Sequence, residues 1–268
     1  MEGDLARAAP DDAQPLAARE EGCALLLTLN RPPGNTLTVA VLRELRARVA
    51  EAASRAAPPA LVLESAIDGY FSSGMDLDEM LALPPERRGD SFAALADAYR
   101  ALLAYPAPCV AALSGSALLG GWVLAMAADW RLLADDAKIS LSEIRAGIVP
   151  TPALISRLSR LSSSPALVKE MTLRGRSIAA PEALDAGLVD EVLPAAEVRP
   201  AARAQAARLI KSAPRAYARV KAALNAADAD DALWARSLAE FGAVFSGEEA
   251  REGLSAFRDK RKPRWPAR

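Results

Sequence analysis

The sequence contains no histidine. That absence excludes Ser-His-Asp and Cys-His catalytic triads, HExxH zinc sites and every histidine general base. If the chain is an enzyme, proton transfer falls to Asp, Glu, Lys, Tyr or Cys. Only two cysteines occur, Cys23 and Cys109, and both stand within apolar runs. We therefore predict two buried thiols in a reducing compartment, with no disulfide between them.

The sequence also lacks long apolar runs and any strong excess of charge. It has no run of 18 apolar residues, so no transmembrane helix is predicted. The formal net charge is -1, which argues against a nucleic-acid partner. The acidic N-terminus lacks the basic-then-apolar order of a secretion signal. We predict a cytoplasmic protein.

The composition and hydrophobic pattern of the sequence predict an α/β protein. The chain has 268 residues, 51% of them hydrophobic and 25% charged, enough for one α/β domain with a helical extension. Apolar strands and amphipathic helices alternate, which is typical of parallel βαβ units. We predict a disordered tail over 1–20, an α/β core over 21–195 and a helical extension over 196–268. Predicted strands lie at 23–30, 61–64, 109–113 and 130–134, predicted helices begin near 38, 91 and 122, and a loop through 74 and a small-residue turn over 115–121 connect them.

Three segments carry the candidate chemistry: FSSGMD at 71–76, SGSALLGGW at 114–122 and LSEIRAGIVPTP at 141–152. A glycine just before a helix lets the chain turn tightly and leaves backbone N–H groups unpaired. Two such turns in one sheet can direct two donors at one oxygen, and the helix dipole adds attraction for negative charge. This arrangement suits the oxyanion of a thioester enolate, with Glu143 as the nearby base.

Each segment has a plainer interpretation when it is taken alone. FSSGMD on its own indicates a loop, Gly120-Gly121 indicates close helix packing, and Glu143 indicates a surface acid. Neither glycine segment has the spacing of a P-loop or of a dinucleotide-binding fingerprint. The functional interpretation depends on the order and spacing of all three.

In that order and spacing the segments resemble the crotonase (enoyl-CoA hydratase/isomerase) superfamily, from about residue 23 to 268. FSSGMDLDEM resembles the first oxyanion-hole segment, which places one donor on the N–H of Met75. ALLGGWVLAMAADW resembles the second and places the other donor on the N–H of Gly120. LSEIRAGIVP resembles the stretch that holds a catalytic glutamate, here Glu143. RGRSIAAPEALDAGLVDEVLP and the ending EGLSAFRDKRKPRW also resemble later segments of the family.

The resemblance implies an α/β fold of stacked ββα turns with a C-terminal helical region that forms a homotrimer, or a hexamer built as a dimer of trimers. It also implies an acyl-CoA substrate, no metal, and no cofactor apart from the coenzyme A of the substrate. Ser73 corresponds to a residue at the adenine side of CoA, and two C-terminal lysines are candidates for its phosphates. The substrate-binding residues implied in this way are Ser73, Gly74, Gly121, Trp122, Val123, Lys260 and Lys262.

One position departs from the hydratase pattern. Hydratases of this family hold a water between two glutamates, and the second lies three residues after the oxyanion-hole glycine. That position is Val123 here. A single carboxylate is enough to move a double bond from C3 to C2, and NTLT after Pro33 and GIVPTP after Glu143 resemble the Δ3,Δ2-enoyl-CoA isomerase branch. We predict an isomerase that uses one base.

Other functions remain open at this point. The chain can be an atypical one-glutamate hydratase, or a crotonase that acts on a carrier-protein thioester. It can also be a non-catalytic crotonase-fold binding subunit, for which the loss of the glutamate at position 123 would be expected. The presence of Glu143 and of both glycine turns argues against this last alternative.

Overall fold

The structure is a computed structural model that describes residues 14–84, 87 and 89–266. The strands are β1 (Leu16–Glu21), β2 (Ala24–Leu29), β3 (Thr36–Leu37), β4 (Ala60–Ser65), β5 (Gly69–Ser72), β6 (Gly74–Met75), β7 (Cys109–Leu113), β8 (Gly115–Leu118), β9 (Trp130–Ala134), β10 (Lys138–Ser140), β11 (Ile178–Ala179) and β12 (Glu191–Leu193). The helices are α1 (Val39–Ala53), α2 (Leu77–Ala82), α3 (Gly89–Ala104), α4 (Gly120–Met126), α5 (Pro152–Leu161), α6 (Pro165–Leu173), α7 (Ala180–Asp185), α8 (Ala195–Leu209), α9 (Pro214–Leu224), α10 (Asp231–Phe245) and α11 (Glu248–Arg258).

The strands form two stacked sheets and a separate two-stranded sheet. The larger sheet has the order β1-β2-β4-β7-β9-β12 and is parallel except for the β1–β2 pair. The smaller sheet has the order β11-β10-β8-β5, and β3 pairs with β6 beside it. Helix α8 covers one face of the larger sheet, and β5 and β8 lie against the other. Because both faces are covered, the central strands are continuous apolar runs such as ALLLTL in β2.

The chain repeats one unit: a strand of the larger sheet, a strand of the smaller sheet, then a helix. The units are β4–β5 followed by α2 and α3, β7–β8 followed by α4, and β9–β10 followed by α5. This confirms the predicted α/β class and the stacked ββα architecture. Because β5, β8 and β10 are parallel, their carboxyl ends meet at one edge of the smaller sheet.

The beginning of the chain differs from the prediction. Residues 16–20 belong to β1, which pairs with β2 from Leu16↔Leu29 to Glu21↔Ala24, so the predicted tail is wrong there. Residues 1–13 lie outside the described part of the chain. Cys23 is exposed at the β1–β2 turn whereas Cys109 is buried, so the prediction of a buried thiol holds only for Cys109.

Two segments predicted as irregular contain short strands. The predicted loop through residue 74 holds β5 and β6, and the predicted turn over 115–121 holds β8. Both segments are rich in glycine and serine, which lowers strand propensity, so the strands depend on pairing with distant partners. The predicted strands at 109–113 and 130–134 and the helix that begins after Thr38 are confirmed.

Candidate active site

The first glycine turn leaves one backbone donor at the end of β6 without a partner on β3. Gly74 adopts φ +105, a conformation that other residues rarely take. Its N–H donates to Ser72 Oγ at 3.1 Å, and the N–H of Asp76 donates to Leu37 O at 3.0 Å. Amides that bond to the neighbouring strand alternate along a parallel ladder. The N–H of Met75, which lies opposite Leu37, therefore points away from β3 and is available to a ligand.

The second glycine turn places a helix N-terminus beside that donor. Leu119 precedes α4 at φ 51 and ψ -123, a strained conformation for a residue with a side chain. Its N–H donates to Ser140 O on β10 at 2.9 Å, and its carbonyl accepts the first helical bond, from the N–H of Val123. The N–H of Gly120 therefore has no partner within α4, and it lies at the positive end of the helix dipole.

The two turns are in direct contact. A Cβ placed on Gly74 would lie 2.9 Å from Leu119 Cβ and 3.5 Å from the Gly120 nitrogen. The Cγ of Met75 lies 3.4 Å from the position that a Cβ on Gly120 would take. The fold therefore brings together the two segments that hold the predicted donors, although they are 45 residues apart in the sequence (75 to 120).

Glu143 follows the next strand along this edge. β10 pairs with β8 through Ile139↔Ala117 and Ser140↔Leu118, so the turn after β10 lies on the same edge as α4. Glu143 begins a 3-10 turn, Glu143–Ala146. It is 8% exposed, and its Oε2 has no hydrogen-bond partner among the described residues.

The surroundings of Glu143 favour its protonated form. Burial raises the pKa of its carboxyl to about 7, against a small opposing contribution from a hydrogen bond with its own backbone N–H. A carboxyl with a pKa near neutrality, buried and not used in an ion pair, is typical of a general base or acid. The sequence indicated the residue type and the position, but the unpaired oxygen and the burial come from the fold.

Apolar side chains surround the second donor. Leu37 Cδ1 and Leu95 Cδ2 lie 3.4 and 3.5 Å from the Cβ position of Gly120, and both residues are buried. Neither was predicted as a site residue, because no sequence spacing connects β3, α3 and α4. Such walls exclude water and strengthen hydrogen bonds to a developing oxyanion.

The three residues after Gly120 are all buried. A Cβ on Gly121 would lie 2.6 Å from Ser72 O, so this glycine allows α4 to approach β5 closely. Trp122 is 0% exposed and its Nε1 has no hydrogen-bond partner among the described residues, while Val123 is 1% exposed. The geometry gives Gly121 a packing role, and contact of these three residues with a substrate remains a prediction.

The predicted CoA-binding residues lie toward the outside. Ser73 is half-buried and its N–H donates to Gly34 O at 2.8 Å, so its carbonyl and side chain remain as possible contacts. Lys260 and Lys262 are exposed in the segment after α11. Their role as phosphate ligands remains a prediction.

Asp76 holds the first turn in place. Its Oδ1 accepts the N–H of Glu79 and so caps α2, and its Oδ2 pairs with Arg31 at 2.7 Å and with Thr36 Oγ1 at 3.0 Å. Burial raises its pKa, but the hydrogen bonds from Glu79 and Thr36 and the charge of Arg31 outweigh burial, so the pKa is lowered overall. The ionised Asp76, which directly follows Met75, therefore holds the end of β6 against β3 and the loop that precedes β3.

Over the described residues, no group of three or more His, Cys, Asp or Glu side chains is arranged to hold a metal ion. In the same part of the chain, no helix combines the length and the apolar character needed to cross a membrane.

Comparisons with known proteins agree with this geometry. A probable enoyl-CoA hydratase of Mycobacterium tuberculosis is 36% identical over 208 residues, 78% of each chain. A probable enoyl-CoA hydratase of Bacillus subtilis is 33% identical over 252 residues, which cover 90% of this chain and 94% of that one. The crystal structure of human mitochondrial delta3-delta2-enoyl-CoA isomerase, 24% identical, has the same fold, with a TM-score of 0.86 over 92% of this chain and 98% of that one.

The family model described as enoyl-CoA hydratase/isomerase matches residues 19–268, nearly the whole chain. The match includes both glycine turns, the turn that bears Glu143 and the C-terminal helices. The chain therefore belongs to the enoyl-CoA hydratase/isomerase family of the crotonase superfamily.

Proposed function

We propose that this protein is a Δ3,Δ2-enoyl-CoA isomerase in which Glu143 is the single catalytic base. One observation carries the proposal: a buried carboxyl with an unpaired oxygen and a pKa near 7 lies on the oxyanion-hole edge, while Val123 is apolar. One base that moves one proton between two carbons of the same substrate needs no bound water. An apolar side chain at position 123 is compatible with that reaction.

The reaction follows from these groups. Glu143 takes the proton from C2 of a 3-enoyl thioester, and the electron pair left on C2 delocalises onto the thioester oxygen to give a dienolate. The N–H groups of Met75 and Gly120 donate hydrogen bonds to that oxygen. The pair then returns from the oxygen, C2 and C3 become doubly bonded, and C4 takes the same proton back from Glu143. The product is the 2-trans-enoyl thioester, with no net gain or loss of atoms.

The oxyanion hole has to supply much of the stabilisation. A C–H next to a thioester is a far weaker acid than a carboxyl, even one whose pKa is raised to about 7. Each oxyanion-hole donor typically contributes about 3–4 kcal/mol to the transition state. Burial of Leu37 and Leu95 beside Gly120 supports the proposal, because it keeps water from competing for the dienolate oxygen.

The substrate follows from the family and from the predicted contacts. We propose a coenzyme A thioester, with Ser73 at the adenine side and Lys260 and Lys262 near the phosphates, and with no metal or redox cofactor. Assembly as a trimer or a dimer of trimers, and a cytoplasmic location, belong to the same proposal.

A second candidate is hydration by an atypical one-glutamate site. It is favoured by the relatives at 36% and 33% identity, both named probable enoyl-CoA hydratases. Under that alternative a group other than residue 123 has to position the water. Turnover of a carrier-protein thioester and binding without turnover are further outcomes of the experiment below.

The experiment is a coupled assay of the purified protein with 3-trans-hexenoyl-CoA and with crotonyl-CoA. We expect conversion of the 3-enoyl substrate, little hydration of crotonyl-CoA, and a loss of about 10²- to 10⁴-fold in kcat/KM for Glu143→Gln. Glu240→Gln, at an exposed glutamate of α10, is the matched control and should retain full activity.

The other outcomes are equally clear. Full activity of Glu143→Gln would exclude the one-base mechanism. Hydration of crotonyl-CoA without isomerisation would establish the hydratase alternative. Tight acyl-CoA binding by calorimetry, without turnover of either substrate, would favour a binding subunit.

A further inference from the structure

The turn that carries Glu143 has little structure of its own. It is a four-residue 3-10 turn, closed by hydrogen bonds from Gly147 N–H to Ile144 O at 3.2 Å and from Ile148 N–H to Glu143 O at 3.2 Å. Gly147 ends it in the left-handed region, at φ 65. A single 3-10 turn fixes a side chain weakly, because its hydrogen bonds are few and poorly aligned.

Helix α11 packs directly on this turn. A Cβ on Gly253 would lie 2.3 Å from both the carbonyl carbon and the oxygen of Ala146. A Cβ on Gly147 would lie 2.4 Å from Glu249 O. Each contact is against backbone, which cannot rotate away, so the helix and the turn touch through positions that only glycine can occupy.

The segment after α11 folds back over the same place. Arg261 donates to both carboxyl oxygens of Glu252, at 2.6 and 3.0 Å, and the N–H of Arg264 donates to Glu252 Oε1 at 2.6 Å. These bonds bring Trp265 next to the turn, with its Cζ3 3.0 Å from the Cβ position of Gly147. The same segment includes Lys260 and Lys262.

We infer that α11, through the contact of Gly253 with Ala146, positions the Glu143 turn and shields the Glu143 carboxyl from water. Gly253 is a positioning residue, since it acts on the reaction only through the turn. The inference rests on the proposed function only in taking Glu143 as the base. A purely structural role for the contact would affect stability alone.

Charges around the turn do not account for the state of Glu143. Its pKa follows from burial and from its own backbone hydrogen bond, with no contribution from a neighbouring charge. Loss of the helix contact should therefore act through solvent access. The charged groups on the turn and on the two helices packed against it are Arg145, Lys169 and Glu170 of α6, and Glu248, Glu249, Arg251, Glu252 and Arg258 of α11.

The test compares two glycine-to-alanine variants in neighbouring helices. Gly253→Ala introduces a methyl group into the contact, whereas Gly242→Ala in α10 introduces one where no atom lies within 4 Å. We expect kcat to fall tenfold or more in Gly253→Ala with a smaller change in KM. The pKa on the acidic side of its kcat/KM profile should fall from about 7 toward that of an ordinary carboxyl. Gly242→Ala should match the wild type. A folded Gly253→Ala variant with unchanged kcat and pH profile would overturn the inference.

A second variant covers the case in which Gly253→Ala does not fold. Trp265 is 45% exposed, so Trp265→Ala should fold, and we expect a smaller change in the same direction in both kcat and the pH profile. Unchanged values in Trp265→Ala, with Gly253→Ala unfolded, would also count against the inference.

A measurement without substrate separates this inference from the proposed function. The free energy of unfolding is measured against pH for the wild type, Glu143→Gln, Gly253→Ala and the double variant. In each background, the difference between the protein with Glu143 and its Glu143→Gln counterpart isolates the contribution of that carboxyl. If its pH dependence moves to lower pH in Gly253→Ala although no isomerisation is found, the inference stands and the proposed function fails. If isomerisation depends on Glu143 but the pH dependence does not move, the inference fails and the proposed function stands.

Discussion

A single carboxyl, Glu143, combines two properties that oppose each other. Burial raises its pKa to about 7, which makes it a stronger base once it is ionised. The same burial disfavours the ionised form, since no cation pairs with its free oxygen among the described residues. The ionised carboxyl therefore lowers the stability of the protein at the pH values at which it can act as a base, as is common at active sites.

The pH dependence of the reaction should report this residue. Because the base acts in its ionised form, kcat/KM for isomerisation should rise with pH and level off above a pKa of about 7. We expect a tenfold loss for each pH unit well below that value. Initial rates between pH 5 and 9, with controls for protein stability at each pH, would measure it. A profile that is flat down to pH 5 would contradict the assignment of Glu143.

The stability of the protein should change over the same range. The pKa of Glu143 is raised from 4.5 in the unfolded chain to about 7 in the fold, so its ionisation lowers stability as the pH rises from about 4.5 through about 7. Glu143→Gln removes this penalty. We expect the variant to be more stable than the wild type by roughly 3 kcal/mol at pH 8 and by much less at pH 5. Urea unfolding at both values would measure the difference, and equal values at both pH values would argue against the raised pKa.

At the scale of elements, the short helix α4 is anchored at its C-terminal end by Arg157. Its N-terminus provides the Gly120 donor, and its C-terminal carbonyl, Met126 O, accepts two bonds from Arg157, at 3.1 and 2.9 Å. The same guanidinium bonds to Asp228 at 3.0 Å and to Asn225 at 2.8 Å. A cation at the C-terminal end of a helix interacts favourably with the helix dipole, whose positive end lies here at the proposed oxyanion-hole donor of Gly120.

Removal of Arg157 should therefore affect both stability and rate. Arg157 and Asp228 are buried, and the loss of one member of a buried pair typically costs about 3–5 kcal/mol. Because Arg160 also pairs with Asp228, we expect the lower end of that range for Arg157→Gln, with a reduced kcat in the folded fraction. Arg236→Gln, at an exposed arginine of α10, is the control. Thermal unfolding and the isomerase assay would measure both effects. If Arg157→Gln is as stable as Arg236→Gln, the stabilising role of Arg157 is contradicted.

The elements that the sequence predicted are those whose own residues determine them. β7 and β9 are buried apolar runs, and α1 has apolar residues at helical spacing behind a Thr38 cap, so local pattern was sufficient. β1 was missed because only Leu16 of its six residues is buried, which leaves no alternation to detect. The strands β5, β6 and β8 have two to four residues each, and pairing with distant segments stabilises them.

The residues of the candidate site show the same distinction between local pattern and distant contacts. The two predicted donors and the predicted base were identified from local motifs and the family resemblance they carry, and the structure brings the two donor segments together. Leu37, Leu95, Arg157 and Gly253 could not be identified, because their importance arises from contacts between elements far apart in the sequence. Contacts of this kind depend on tertiary packing and leave no periodic pattern.

At the scale of the molecule, the C-terminal helices are joined to the sheets by buried polar contacts as well as by apolar ones. Lys221 of α9 pairs with Asp129 at 2.9 Å and donates to Ala107 O at 3.3 Å. Within the helical region, Trp234 of α10 donates to Asp228 O at 2.8 Å, which fixes α10 against the turn that precedes it. Buried polar contacts are strongly directional, so they fix one orientation of the helices on the sheet. Helix α11 packs on the turn that carries Glu143. The orientation of the C-terminal helices therefore also affects the geometry of the site.

Strand β1 has a consequence for association between molecules. It is the outer strand of the larger sheet, and all but one of its residues are at least partly exposed, including Arg19, Glu20 and Glu21. Charged side chains of this kind discourage edge-to-edge pairing, and β12 at the opposite edge has only three residues. Removal of residues 1–22 would uncover β2, whose ALLLTL run is uncharged and rich in apolar residues. We expect that truncation to form β-rich aggregates, measurable by light scattering and thioflavin T fluorescence, while removal of residues 1–13 should not. The charged first strand is therefore expected to protect the chain against amyloid-like growth.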